Sequence, residues 1–192
     1  ASQVTHKESP RMADVSYNIP DLRPGEVFRV EQTIKRSRFI ASVGHTPGVE
    51  EAKAFIEQIK AEFEDARHNC WAYCAGAAGS TDRIGASDDG EPHGTAGRPM
   101  LTAVTHSGIG EVTVVVTRYF GGILLGTGGL VKAYQSSVKM ALEAVPTRIR
   151  TKTKRIKFSV EHRFVNQVLR KIETANGRIL EKNFDMDADF DV

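Results

Sequence analysis

The sequence predicts an α+β fold in two parts, and three observations carry that prediction. Residues 112–116, VTVVV, form a β-branched run bounded by Gly110 and by Gly121-Gly122, as suits a strand buried on both faces. From Leu130 the apolar period becomes helical: Leu130, Val131, Tyr134, Val138, Ala141, Leu142 and Val145 share one side, and Pro146 ends the run. After Pro146 the composition shifts to a dense series of cations, which marks off a second, smaller part. A length of 192 residues accommodates both parts, and 40% hydrophobic with 26% charged residues is the composition of a soluble globular protein. A net charge of +2 does not by itself announce a nucleic-acid binder, so local charge has to decide.

Taken in order, residues 1–24 are polar and irregular, with Pro10, Pro20 and Pro24, and are expected to be a flexible arm. Met12-Ala13 offers a native start, which would make residues 1–11 a remnant of expression. Residues 26–33 and 37–44 read as two strands joined by the basic turn Lys35-Arg36-Ser37-Arg38, either a solvated turn or an electropositive finger. Val49, Ala52, Phe55, Ile56, Ile59 and Phe63 then mark an amphipathic helix. Residues 70–77 follow as a strand with Cys70 and Cys74 on one face. No further cysteine completes a zinc site, and buried free thiols in a reducing compartment place the protein in the cytoplasm. No secretory signal or apolar run of membrane-spanning length is legible, so no membrane partner is expected. A short strand over residues 82–87 and a helix over residues 96–107 complete the approach to the central strand.

Two segments are loaded with chemistry. Residues 87–100, SDDGEPHGTAGRPM, concentrate Asp88, Asp89, Glu91 and His93 around glycines. They suit a cation or acid/base site, nucleophilic catalysis by Ser87, Thr95 or Cys70 beside His68 or His93, or carboxylates that cap the next helix. Neither an EF-hand, a two-histidine zinc helix nor G-x-S-x-G is present, so no catalytic residue, metal or cofactor is assigned. The second segment runs from the strand end Thr117-Arg118-Tyr119-Phe120 through Gly121, Gly122, Gly126, Gly128 and Gly129. Its glycines either aim free amides at a phosphate on the helix N-terminus or only allow a tight turn, and it is neither a P-loop nor G-x-G-x-x-G. Arg118 beside aromatics suits a phosphate backbone with stacked bases, and equally a pairing with Asp88, Asp89 or Glu91.

Read together, SDDGEP with GTAGRPML, and VTRYFGGILLGTGGLVKAY, strongly resemble the YigZ/IMPACT family. Lys35-Arg36-Ser37-Arg38-Phe39-Ile40 and Ala66-Arg67-His68-Asn69-Cys70 extend the likeness, so it covers about residues 26–145. The resemblance implies an amino domain over residues 25–146 like the second domain of a ribosomal small-subunit protein, a mixed sheet with helices on one side. It further implies a ferredoxin-like domain over residues 147–192 like the last domain of elongation factor G. It also implies a setting in translation under stress, with RNA, the ribosome or a translation-related protein as partner. Asp88, Asp89, Glu91, Arg98, Arg118, Tyr119, Lys132 and Tyr134 match the family pattern, whereas His93 stands where a small residue is usual.

In the second part, Arg148, Arg150, Lys152, Lys154, Arg155 and Lys157 form a basic strand reaching Val160. A helix marked by Phe164, Val168, Leu169 and Ile172 follows, closed by Asn176-Gly177, and then two strands over residues 178–183 and 186–192. That is β-α-β-β, short of a complete ferredoxin-like domain, and apolar surface left uncovered there suits a homodimer through residues 147–192. The expected function is a non-enzymatic regulator of translation that binds RNA or the ribosome. The expected contacts are Arg38, Arg98, Arg118, Tyr119, Gly126, Gly128, Gly129, Lys132, Tyr134, Lys152, Lys154 and Arg155. A phosphate-ligand or phosphoester enzyme using Asp88, Asp89 and Glu91 is the first alternative, and a protein-interaction module the second.

Overall fold

The computed structural model describes residues 16–151, 155–184 and 187–192. The chain divides into two compact units, Ala1–Thr151 and Lys152–Val192. In the first, the elements run β1 (Ser16–Pro20), β2 (Phe28–Ile34), β3 (Ser37–His45), α1 (Val49–Glu62), β4 (His68–Cys74), β5 (Ile84–Ser87), α2 (Gly97–Thr105), β6 (Val112–Tyr119), α3 (Gly126–Ala144) and β7 (Thr147–Thr151).

β6 is the centre of a five-stranded sheet ordered β2-β3-β6-β4-β5. It is buried from Val112 to Arg118, so both of its faces need cover. Val112, Val114 and Val116 join Phe39, Ala41, Val43, Cys70 and Ala72 beneath α2 and α3, which bring Met100, Val104, Leu130, Tyr134 and Val138. On the opposite face Val115, Tyr73 and Ala75 meet Ala52, Phe55, Ile56 and Ile59 of α1. Burying one such aliphatic side chain contributes roughly 1.5–3 kcal/mol, and it is the summed burial of each cluster that holds the helices on both sides. The α+β class therefore holds with two refinements. The sheet expected to be mixed is antiparallel in every described ladder, and the helices expected on one side are divided between both.

The strands β2 and β3 meet at a two-residue turn, Lys35-Arg36, with positive φ at both residues (45° and 65°). That is the turn geometry that matches the twist of a hairpin and that Asn-Gly usually supplies. α3 starts at Gly126, four residues before the apolar period begins, so Gly126, Gly128 and Gly129 make its first turn rather than a loop. The segment expected to be an irregular arm contains β1, paired antiparallel with β7 from Ser16↔Thr151 to Pro20↔Thr147. Ile19 is fully buried, and Tyr17 donates its hydroxyl to Glu111 at 2.8 Å. The basic strand expected across residues 148–160 is two strands, β7 here and β8 in the second unit.

The second unit contains β8 (Lys157–Val160), α4 (Val165–Thr174), β9 (Glu181–Phe184) and β10 (Ala188–Asp191). β10 lies between β8 and β9 and is antiparallel to both, the split β-α-β arrangement of ferredoxin-like domains. Phe190 is buried and stacks with Phe158 at 5.5 Å between ring centres. Asn176 takes positive φ and the Gly177 amide donates to the Ile172 carbonyl at 2.8 Å, closing α4 where Asn-Gly signals a helix end.

Candidate functional site

The acidic loop is built inward. Asp88 accepts the backbone N–H of Gly94, Ala96 and Gly97 at 2.8, 3.0 and 2.8 Å, which satisfies free amides at the start of α2. Burial pushes its carboxyl up, but these N–H groups more than offset that and hold it below the ordinary aspartate value. Asp89 accepts from the Asn69 amide at 2.7 Å and from Lys60 Nζ at 3.1 Å. Glu91 is buried and accepts from Arg118 Nη1 at 2.7 Å and from the Tyr134 hydroxyl at 2.6 Å. The carboxylates proposed for a ligand are thus occupied by donors of the protein. Among the described residues no group of three or more His, Cys, Asp or Glu is placed to hold a metal ion.

Of the residues proposed for nucleic acid, the structure separates Arg118 from Tyr119. Arg118 is only 7% exposed and joins the face under α3, whereas Tyr119 points to the opposite side and donates its hydroxyl to Asp65 at 2.7 Å. Tyr134 is fully buried, and burial drives its phenol far above the ordinary value. The pairing weighed for Arg118 is realised with Glu91, not with Asp88 or Asp89. Arg38 is exposed, lies over the Tyr119 ring and forms an ion pair with Glu31 at 2.8 Å. Arg98 and Lys132 are exposed and unpaired among the described residues. Gly126 and Gly128 open α3 with open space where a Cβ would stand, at a helix start that has no side-chain cap and no acidic residue in its first turn. Arg155 is bound through two nitrogens to Asp191. Lys152 and Lys154 lie outside the described residues.

What the structure brings together is a corner that sequence reasoning only touched. The Lys35-Arg36 turn abuts the loop after β6: the Gly121 amide donates to Ser37 Oγ at 3.2 Å, and a Cβ on Gly121 would collide with the Arg36 backbone. Next to it Phe120, Ile123 and Leu124 are 53%, 42% and 81% exposed. Lys35 and Arg36 are exposed with no acidic partner among the described residues. The legible signal was Lys-Arg at the two positions of a hairpin turn, where Asn-Gly would be expected.

These features define an α+β protein whose helix-flanked antiparallel sheet presents a basic and apolar corner, followed by a split β-α-β unit. Residues 35–142 match the Impact N-terminal domain. The chain is 46% identical over 163 residues to the IMPACT family member YigZ of Escherichia coli (strain K12), covering 85% of this chain and 80% of that protein. It is 44% identical over 163 residues to an IMPACT family member of Haemophilus influenzae, covering 85% and 79%. A crystal structure described as a hypothetical protein superposes with a TM-score of 0.68 at 43% identity, over 92% of this chain and 84% of that one. The chain belongs to the IMPACT family. No helix among its described residues is long and apolar enough to cross a membrane.

Proposed function

We propose that this protein is a translation-related regulator that binds RNA through the corner formed by the β2–β3 turn and the loop after β6. The observation that carries this reading is the turn itself. Two cations occupy left-handed backbone positions, each at a cost of about 1–2 kcal/mol, and neither has an acidic partner among the described residues. Backbone strain that a cheaper Asn-Gly would relieve marks side chains kept for what they contact. Unpaired cations beside an exposed aromatic ring suit a phosphate backbone carrying unstacked bases. The family resemblance supports the translational setting.

The test is binding of structured RNA and of purified ribosomes at several salt concentrations, comparing the wild type with Lys35→Ala/Arg36→Ala. Affinity is expected to fall steeply with salt, and the double variant to lower the slope of log affinity against log salt by about 1.5. Binding insensitive to both salt and the variant would remove this reading. Arg118→Ala is not an informative probe of RNA contact, because it vacates a buried ion pair.

A further inference from the structure

Side chains around the end of β6 form a continuous ladder from core to surface. Tyr134 and Phe39, both fully buried, meet edge to face with ring centres 5.4 Å apart. The Arg118 guanidinium lies over Phe39 at 5.7 Å and over Phe120 at 5.6 Å, so it sits between the two rings. Arg118 Nε is the one buried side-chain polar atom without a hydrogen-bond partner among those described. A buried donor left unpaired costs about 1–3 kcal/mol. Arg118 is thus held by Glu91 and by its stacking faces rather than by a full set of hydrogen bonds. Phe120 rests on the Arg118 guanidinium, while the residue remains 53% exposed.

We propose that Phe120 is a stacking shelf for an unpaired RNA base, the next rung of this ladder, with Lys35 and Arg36 taking the adjoining phosphates. This rests on the RNA-binding reading above and narrows it to single-stranded or looped-out nucleotides. A ring fixed on one side loses little freedom on binding, and base–aromatic stacking tolerates any base because each has a π-face. The contact of Gly121 with the Arg36 backbone places the turn that carries both cations against the residue that follows the shelf. The loop from Phe120 to Leu125 contributes no carboxylate that would repel a phosphate.

The experiment uses the full chain and a short single-stranded RNA carrying 2-aminopurine, with the matching RNA duplex as comparison. Fluorescence quenching on binding is expected with the single strand, together with a preference for it over the duplex. Phe120→Leu is expected to lower single-strand affinity about tenfold and abolish the quenching, with an unchanged salt slope, and Phe120→Trp to restore both. Circular dichroism checks that each variant is folded, as the exposed position allows. RNA binding with no quenching and no loss in Phe120→Leu overturns the shelf while leaving the RNA reading intact. No binding to any RNA at low salt overturns both and hands the corner, with Ile123 and Leu124, to a protein partner.

Discussion

Glu91 is where the acidic loop, the central strand and α3 converge, because its carboxylate takes hydrogen bonds from Arg118 and Tyr134. Removing it leaves a buried guanidinium without its counter-charge. Glu91→Ala is therefore expected to destabilise the fold by about 3–5 kcal/mol in a denaturant titration, and Glu91→Gln, which keeps an acceptor oxygen, by less. Asp88 adds a pH dependence. Its folded carboxyl is held below the ordinary value, so its contribution is complete above the unfolded value of about 4 and is lost as pH falls through the folded one. Asp88→Asn has no proton to take up at this position. Its melting temperature should start lower than the wild type's at neutral pH and decline less on acidification to about pH 3, and parallel declines would contradict the assignment. The acidic residues and Arg118 were legible as a group, but not their direction. A strand apolar on both faces does not reveal which side Arg118 takes, and only the helices on each side decide whether that side is core or solvent.

At the scale of elements, the β2–β3 hairpin joins stability to function. Replacing its strained turn with the residues that the geometry prefers, Lys35→Asn/Arg36→Gly, is expected to raise stability by about 1–2 kcal/mol while weakening RNA binding and lowering its salt slope. A variant that gained stability and kept full affinity would show that the cations are only a solvated turn. The hairpin, α1, α2, β6 and α3 could be read from sequence because each carries its own local period or turn signal. β1 could not: it is five residues long, ends in Pro20, and pairs with residues 147–151, so its partner lies at the far end of the unit. Glu111 ties this late pairing down. It accepts from Tyr17 and His45 at 2.8 Å each and lies 3.5 Å from Arg150. Such contacts join residues far apart in sequence and leave no trace in local pattern. The start of α3 is hidden for a different reason, since its glycines suggest a turn by propensity while the structure uses them as the helix's first residues.

For the whole molecule, the two units differ in what holds them. Both large core clusters of the first lie within residues 22–145, whereas α4 of the second has no buried residue. Ile156, Phe164, Leu180 and Phe184 remain exposed there, which supports the proposal that residues 147–192 mediate self-association. A chain ending at Thr151 keeps both core clusters and the β1–β7 pairing, so it is expected to fold cooperatively, with circular dichroism showing one sharp thermal transition. Light scattering should find this shorter chain monomeric and the full chain of higher mass; equal monomeric masses would remove the self-association proposal. Because Lys35, Arg36 and Phe120 belong to the first unit, the shorter chain should also keep most of the RNA affinity and nearly the same salt slope. The competing site is the cationic run Lys152, Lys154 and Arg155. The Asp191 pairing already engages Arg155, so its loss should cost little. If the shorter chain folds but its salt slope drops by about 2 or more, the dominant phosphate contacts lie beyond Thr151, and the corner at the end of β6 is at most a secondary site.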